Sequence, residues 1–258
     1  MNEIRIILVE PAGALNLGSI ARVMKNMGLS TLILVNPQCD RFADEARQMA
    51  VHAFDILENA QIVADLPQAL QGCQRAMATT ARARSLSTQL EPPKSALTWL
   101  LAENITSALI FGPEDRGLSN QELNYAQRFV GIPSHPVYPS LNLAQAVAVC
   151  AYEIYQLSLS NNVDNPSGYV SLQARGADDN FNPVLGNNAT IETLEGYYAD
   201  LESLLLDVGY LYPHTATARM AKFRRLYNSA NLTKEEVAML RGTVRQIKWA
   251  IENNKGRE

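Results

Sequence analysis

Alternation of short apolar runs with helix-spaced stretches constrains the first 160 residues more than any other feature. The runs are Ile4–Val9, Thr31–Val35, Gln61–Ala64, Arg75–Thr79, Ser107–Phe111 and Arg128–Ile132. Between them lie helical candidates near 17–28, 42–50, 66–72, 92–103 and 119–126, and a longer one spans about 141–160. Strands that stay apolar along their length are buried on both faces, and strand–helix repetition builds a parallel sheet covered by helices. The spacing therefore predicts an α/β unit over residues 1–160.

The pattern then changes. Residues 161–189 are rich in Asn, Asp, Gly and Pro and have no apolar period, which predicts a flexible linker. From residue 190 to 258 the spacing is purely helical, and a small all-α domain is expected. Leu194, Tyr197, Tyr198, Leu201, Leu204, Leu205 and Val208 follow the i, i+3, i+4, i+7 rule. A last helix opens with Thr233 and has Glu236 three residues on, a capping box. Its apolar seam is Val237, Leu240, Val244, Ile247 and Ile251, with Arg241, Arg245 and Lys248 on a neighbouring stripe.

The net charge of −4 conceals an asymmetry. Residues 161–212 carry one basic side chain against eight acidic ones, and residues 213–258 carry ten against four. A basic segment behind an acidic average suits a polyanionic partner. No apolar run has the length needed to cross a bilayer, so no membrane is expected. "MNEIRIILVE" reads as a first strand rather than a signal peptide. Cys39, Cys73 and Cys150 form no C-x-x-C pair, and His52, His135 and His214 are scattered. A reduced, cytoplasmic, metal-free protein follows as the expectation.

Four stretches have chemistry to offer. "GALNLGSI" has the glycine spacing of a phosphate-binding loop, yet Ser19 stands in the lysine slot and Ile20 in the Ser/Thr slot. Without those groups it lacks the contacts that hold a triphosphate and its magnesium. What remains is a helix start after β-structure, with Asn16 before it and Arg22 about a turn in, near the carboxyl edge where open α/β sheets bind ligands. "ATTARARSL" ends a strand in Thr79, Thr80 and Ala81, small enough for close ligand approach, and then presents Arg82 and Arg84. "LIFGPEDRGLSNQEL" ends a strand in Gly112 and places Glu114 at its edge; Ser119 and Glu122 read as a capping box. "VGIPSHPVYPSLNLA" spends three prolines on a stiff loop leading to a helix start capped by Ser140 or Asn142.

In this order and spacing, "NLGSIARVMKNMG", "FGPEDRGL" and "GIPSHPVYPSLNLAQAVAVCAYE" resemble the three motifs of the SPOUT-class RNA 2′-O-ribose methyltransferases. The helical tail with "MAKFRRLYNSANLTKEEVAMLRG" looks further like the TrmJ branch of that class, which acts on position 32 of the tRNA anticodon loop. The resemblance implies a deep trefoil knot at the end of the sheet unit, although general chain topology disfavours knots. It implies S-adenosylmethionine as methyl donor, S-adenosylhomocysteine as product, tRNA as substrate, and a homodimer in which one donor faces the other subunit's arginine. The donor positions map onto Thr79, Thr80, Ala81, Gly112, Ile132, Pro139, Ser140 and Leu141. The catalytic positions map onto Asn16, Arg22, Glu114, Ser140 and Asn142. RNA contacts are expected at Lys25, Arg82 and Arg84, and in the tail at Arg219, Lys222, Arg224, Arg225, Arg241, Arg245 and Lys248. The lead-in "EPAGALN" carries no histidine before Asn16, a departure that bears on target preference. A ribosomal RNA target, another tRNA position, or a non-catalytic RNA-binding module are the alternative readings.

Overall fold

A computed structural model describes residues 3–81, 89–101, 105–161 and 188–254. Among them seven strands form one parallel sheet. In chain order these are β1 (Glu3–Val9), β2 (Thr31–Val35), β3 (Gln61–Val63), β4 (Arg75–Thr79), β5 (Leu90–Glu91), β6 (Thr106–Phe111) and β7 (Arg128–Val130). Their order across the sheet is β3-β2-β1-β6-β4-β7-β5. β1 is central: Ile6 pairs with Leu32 on one side and with Leu109 on the other.

The pleat sorts β1 into two cores. Ile4, Ile6 and Leu8 face a layer with α1 (Ala14–Asn26), α2 (Asp44–Ala50), α3 (Phe54–Glu58), α5 (Pro93–Ala96) and α7 (Leu143–Asn161). Ile7 and Val9 face the opposite layer with α4 (Leu66–Ala69) and α6 (Asn120–Leu123). Alternation of side chains along a strand makes one apolar run serve both layers. α1 presses so closely on α2 that a Cβ at Gly18 would lie 2.2 Å from the Ala46 carbonyl oxygen. Gly18 is therefore a helix-packing residue, not part of a ligand loop.

The six expected strands are present, with bounds shifted by a residue or two. β5 was not expected; it is two residues long and pairs with β7 at the sheet edge. The helix expected over 92–103 is α5 followed by a 3₁₀ turn, Leu97–Leu101. The one expected over 66–72 stops at Ala69, ahead of Gly72 at φ +76°. α1 begins at Ala14, so Asn16 lies in its first turn rather than before it.

Among the described residues the tail is three helices, α8 (Ile191–Asp207), α9 (Pro213–Ser229) and α10 (Lys234–Asn254), around Leu194, Tyr197, Tyr198, Leu201, Leu204, Val237 and Val244. The Thr233–Glu236 capping box forms, with Thr233 N donating to Glu236 Oε2 at 2.8 Å and Glu236 N to Thr233 Oγ1 at 3.2 Å. Ile247 departs from the expected seam and is 42% exposed. Val208 also faces solvent, because α8 ends one residue earlier. The tail meets the sheet unit at the start of α8: Ile191 joins the core of Leu66 and Leu70, and its N–H donates to the Cys73 carbonyl at 2.9 Å. Gly72 N donates to Glu192 Oε2 at 2.8 Å. Apart from Asn161, Asn188 and Ala189, the expected linker lies outside the described residues.

Candidate active site

All strands run the same way, so their carboxyl ends share one edge, and there the three motifs meet. The ends of β4, β6 and β7 and the segment before α7 enclose a cleft of about 200 Å³. Thr79, Thr80, Ala81, Gly112, Ile132, Pro139, Ser140 and Leu141 all line it, together with Glu114 and Leu143. Thr79 Oγ1 donates to the Ile110 carbonyl at 3.1 Å, and Thr80 N to the Val130 carbonyl at 3.1 Å, which fixes the β4 end against its neighbours. Gly112 is required by close approach: a Cβ there would lie 2.3 Å from Leu118 N and 2.5 Å from Gly117 C. That proximity folds the 113–118 turn back onto β6.

Arg116 braces this turn. Its guanidinium holds Glu122 at 3.0 Å and Glu10 at 2.6 Å, so the ends of β1 and β6 are pinned by one side chain. These hydrogen bonds, to Glu122 first and then Glu10, push the Arg116 pKa upward. Burial raises Glu122, but hydrogen bonds from Arg116 and Ser119 outweigh it and hold the carboxyl below its ordinary value. The Ser119–Glu122 capping box forms as the sequence predicts.

Across the edge runs a short polar relay. Asn142 Nδ2 donates to Asn16 Oδ1 at 3.0 Å, and Asn16 Nδ2 donates to Glu114 Oε1 at 2.7 Å. Glu114 Oε2 accepts from Ala12 N at 3.3 Å. The direction of the relay is dictated by backbone. Asn142 Oδ1 caps α7 by accepting from Ala144 N at 2.9 Å, so its amide nitrogen must point away, toward Asn16. Asn16 must then present oxygen to Asn142 and nitrogen to the carboxylate. Asn142 is thus the α7 cap and a site residue at once. Ser140 lines the cleft beside it, exposed.

Arg22 does not join this group. It lies six residues beyond Asn16 on α1, which at about 100° per residue sets it roughly 120° round the helix from Asn16. It is exposed and absent from the cleft lining. Arg82 and Arg84 lie outside the described residues. Lys25 is held by Asp55 at 2.7 Å.

The tail cations divide. Arg224 turns inward: it forms a two-pronged pair with Glu195, one arm at 2.7 Å, and lies 4.7 Å over the Tyr198 ring. Arg224 is thus half-buried, unlike the exposed Lys222 and Arg225 near it in sequence. Arg241 pairs with Asp200 at 2.8 Å and Lys248 bonds Ser203 at 2.9 Å, so two members of the expected ridge join α10 to α8. Arg245, Lys222, Arg225 and Arg219 remain exposed. Burial pushes the thiols of Cys73 and Cys150 to about 11 and about 12, which leaves them protonated and inert at neutral pH. Among the described residues no cluster of metal-ligating side chains occurs, and no helix is long and apolar enough to cross a membrane.

A parallel sheet with a cleft at its carboxyl edge, lined by two motif segments and joined to the third through the Asn16–Glu114 hydrogen bond, defines a class that comparison identifies. A model described as the SpoU rRNA Methylase family matches residues 3–152. The chain belongs to that methylase family. Its residues 192–256 match a second model, the C-terminal domain of the tRNA methyltransferase TrmJ. Among full-length relatives is a tRNA (cytidine/uridine/adenosine-2′-O-)-methyltransferase TrmJ of Pseudomonas aeruginosa, 38% identical over 94% of this chain and 92% of that protein. Another is a tRNA (cytidine/uridine-2′-O-)-methyltransferase TrmJ of Salmonella typhimurium, 37% identical over the whole of both chains. The crystal structure of TrmJ from Z. mobilis ZM4 superposes with a TM-score of 0.78 at 28% identity, covering 95% of this chain and 98% of that one.

Sequence reasoning missed Arg116 and Glu10. The only signal was an arginine within an acidic turn; its partner Glu10 stands 106 residues away.

Proposed function

We propose that this chain transfers a methyl group from S-adenosylmethionine to the ribose 2′-hydroxyl of a nucleotide in the tRNA anticodon loop, at position 32. The Asn142–Asn16–Glu114 relay carries the reading, because it joins three motif segments at one cleft rim. The named activity of the full-length relatives supports the reaction. A solved protein titled for 2-OH methylation of C/U34 on tRNA, 26% identical with a TM-score of 0.50, supports the anticodon loop as target.

The cleft residues fit the donor. Val130, Ile132, Leu141 and Leu143 supply apolar walls for a flat base, and main chain at Thr80, Gly112 and Ser140 supplies polar edges. The donor brings an electrophilic methyl on a sulfonium. The chain's part is to bring a sugar oxygen about 3 Å from that methyl, in line with the leaving sulfur, and to accept its proton. Glu114 retains acceptor positions beyond Asn16 and Ala12 and orients the hydroxyl. Arg22 is an unsuitable base, because guanidinium stays protonated. It instead holds the neighbouring phosphate and stabilises negative charge growing on the oxygen.

Arg22 faces away from its own cleft, which supports a homodimer in which it serves the other subunit. Val149 and Tyr152 form an exposed stripe on α7, and Leu15 is exposed on α1, as a partner copy would require. β7 lies between β4 and β5, both earlier in the chain, and this insertion supports the trefoil knot. Residues 1–160 form the methyl-transfer unit and 190–258 the RNA-gripping unit, joined by 161–189. The free thiols support a reducing cytoplasm.

Mass-spectrometric mapping of ribose methylation after incubating tRNA with protein and donor tests the reading. A 2′-O-methyl at position 32 is expected. No ribose methylation would end the proposal, and a mark only at 34 would correct its position.

A further inference from the structure

The turn between α8 and α9 throws aromatic rings outward. Gly209, at φ +74°, leaves α8, and Leu211 drops into the tail core with its N–H on the Leu205 carbonyl at 2.9 Å. Its neighbours Tyr210 and Tyr212 therefore face solvent, each 54% exposed. Neither ring is loose. Tyr210 packs edge-on against Phe223 at 6.4 Å, and Arg219 lies 5.6 Å over it while donating to its carbonyl at 3.0 Å. Tyr212 stacks on His214 at 5.9 Å with an interplanar angle of 23°.

The adjoining stretch of chain is slightly basic. From residue 205 to 222 the single carboxylate is Asp207, against Arg219 and Lys222. The two cations stand three residues apart on α9 and so share a face. Fixed, exposed rings beside cations suit unpaired nucleobases: any base offers a π face to stack on, and the cations meet the phosphates between bases.

We propose that Tyr210 and Tyr212, with His214, form a stacking platform for unpaired nucleobases of the substrate RNA, and that Arg219 and Lys222 hold the adjoining phosphates. This rests on the tRNA reading above and names the part of the tail that grips the loop. The platform binds and positions; it takes no part in the chemistry.

The test uses the full-length protein with a stem-loop RNA carrying 2-aminopurine in its loop, and with a duplex of equal length. Wild type is expected to quench the loop fluorophore. Tyr210→Ala/Tyr212→Ala should weaken loop binding about tenfold or more, the size of a lost base–aromatic stack. It should raise KM for tRNA, leave kcat and donor binding by calorimetry as they are, and bind duplex as wild type does. Tyr210→Phe/Tyr212→Phe keeps the rings and should behave as wild type. Tyr212→Ala alone, which removes no core contact, guards against misfolding of the double variant and should lose part of the quench. Loop binding unchanged in the alanine variants overturns the platform, as does an equal loss for duplex. Normal quenching with no methylation of any tRNA would instead defeat the reading of the substrate and leave the platform standing.

Discussion

At the carboxyl edge of the sheet, polar side chains hold one another in a closed chain of contacts; in the helical tail they are shared between packing and solvent. Asn142, Asn16 and Glu114 come from segments up to 126 residues apart, and each fixes the next. In the tail, Arg224, Arg241 and Lys248 bind α8 or its core, while Arg245 and Lys222 stay outside. Polar side chains thus serve two ends: at the cleft they fix one another's direction, and between helices they fix helix pairing. Their positions in the sequence do not tell the two apart.

Breaking the relay should have the largest effect. Asn16→Asp keeps the shape but sets a carboxylate against Glu114 and removes the donor. Misplacing a positioned group by about 1 Å corresponds to about 10²-fold in turnover. Thermal melting should stay near wild type, so an equal fall in stability would show that the relay is a packing device like the tail pairs. Next in size is Gly112→Ala. Its Cβ would meet main chain that cannot swing aside, and overpacking of this kind costs about 1–3 kcal/mol. Calorimetry should find donor binding lost; normal binding would mean that the 113–118 turn does not shape the cleft.

Arg224→Met sharpens the contrast from the other side. It leaves Glu195 half-buried without its partner, for about 1–3 kcal/mol by denaturant unfolding. Turnover per folded molecule should not change. Arg245→Ala, on the same domain, should leave stability within about 0.5 kcal/mol and lower the salt dependence of RNA binding by about one counterion. The smallest effect concerns acid. Glu122 is held below its ordinary value of 4.5, so it adds stability that is complete above that pH and is lost as pH falls through the lower folded value. Glu122→Gln should flatten the melting temperature against pH in that window; an unchanged slope would remove Glu122 as its source.

Much of the sheet unit was legible because its strands are continuous apolar runs, as in "IRIILV", and its loops carry glycine and proline at strand ends. The eight positions brought together at the cleft follow motif order rather than any local period. β5 was not legible: two residues carry no periodicity, and only pairing with β7 makes them a strand. Arg116 was unreadable for a different reason, since its bond to Glu10 depends on β1 lying beside β6. Helical spacing put Arg241, Arg245 and Lys248 on one stripe of a helix, yet it could not show that α8 would occupy two of them. Ile247 shows the converse, an apolar residue at a core spacing that finds no helix opposite.

Because Asn142 both opens α7 and steers the amide of Asn16, the rim of the cleft is completed by one of the last parts of the sheet unit to leave the ribosome. A nascent chain that has already paired β1 with β2 still has an unoriented Asn16. Until residue 142 has been added, the amide of Asn16 lacks the partner that sets its direction.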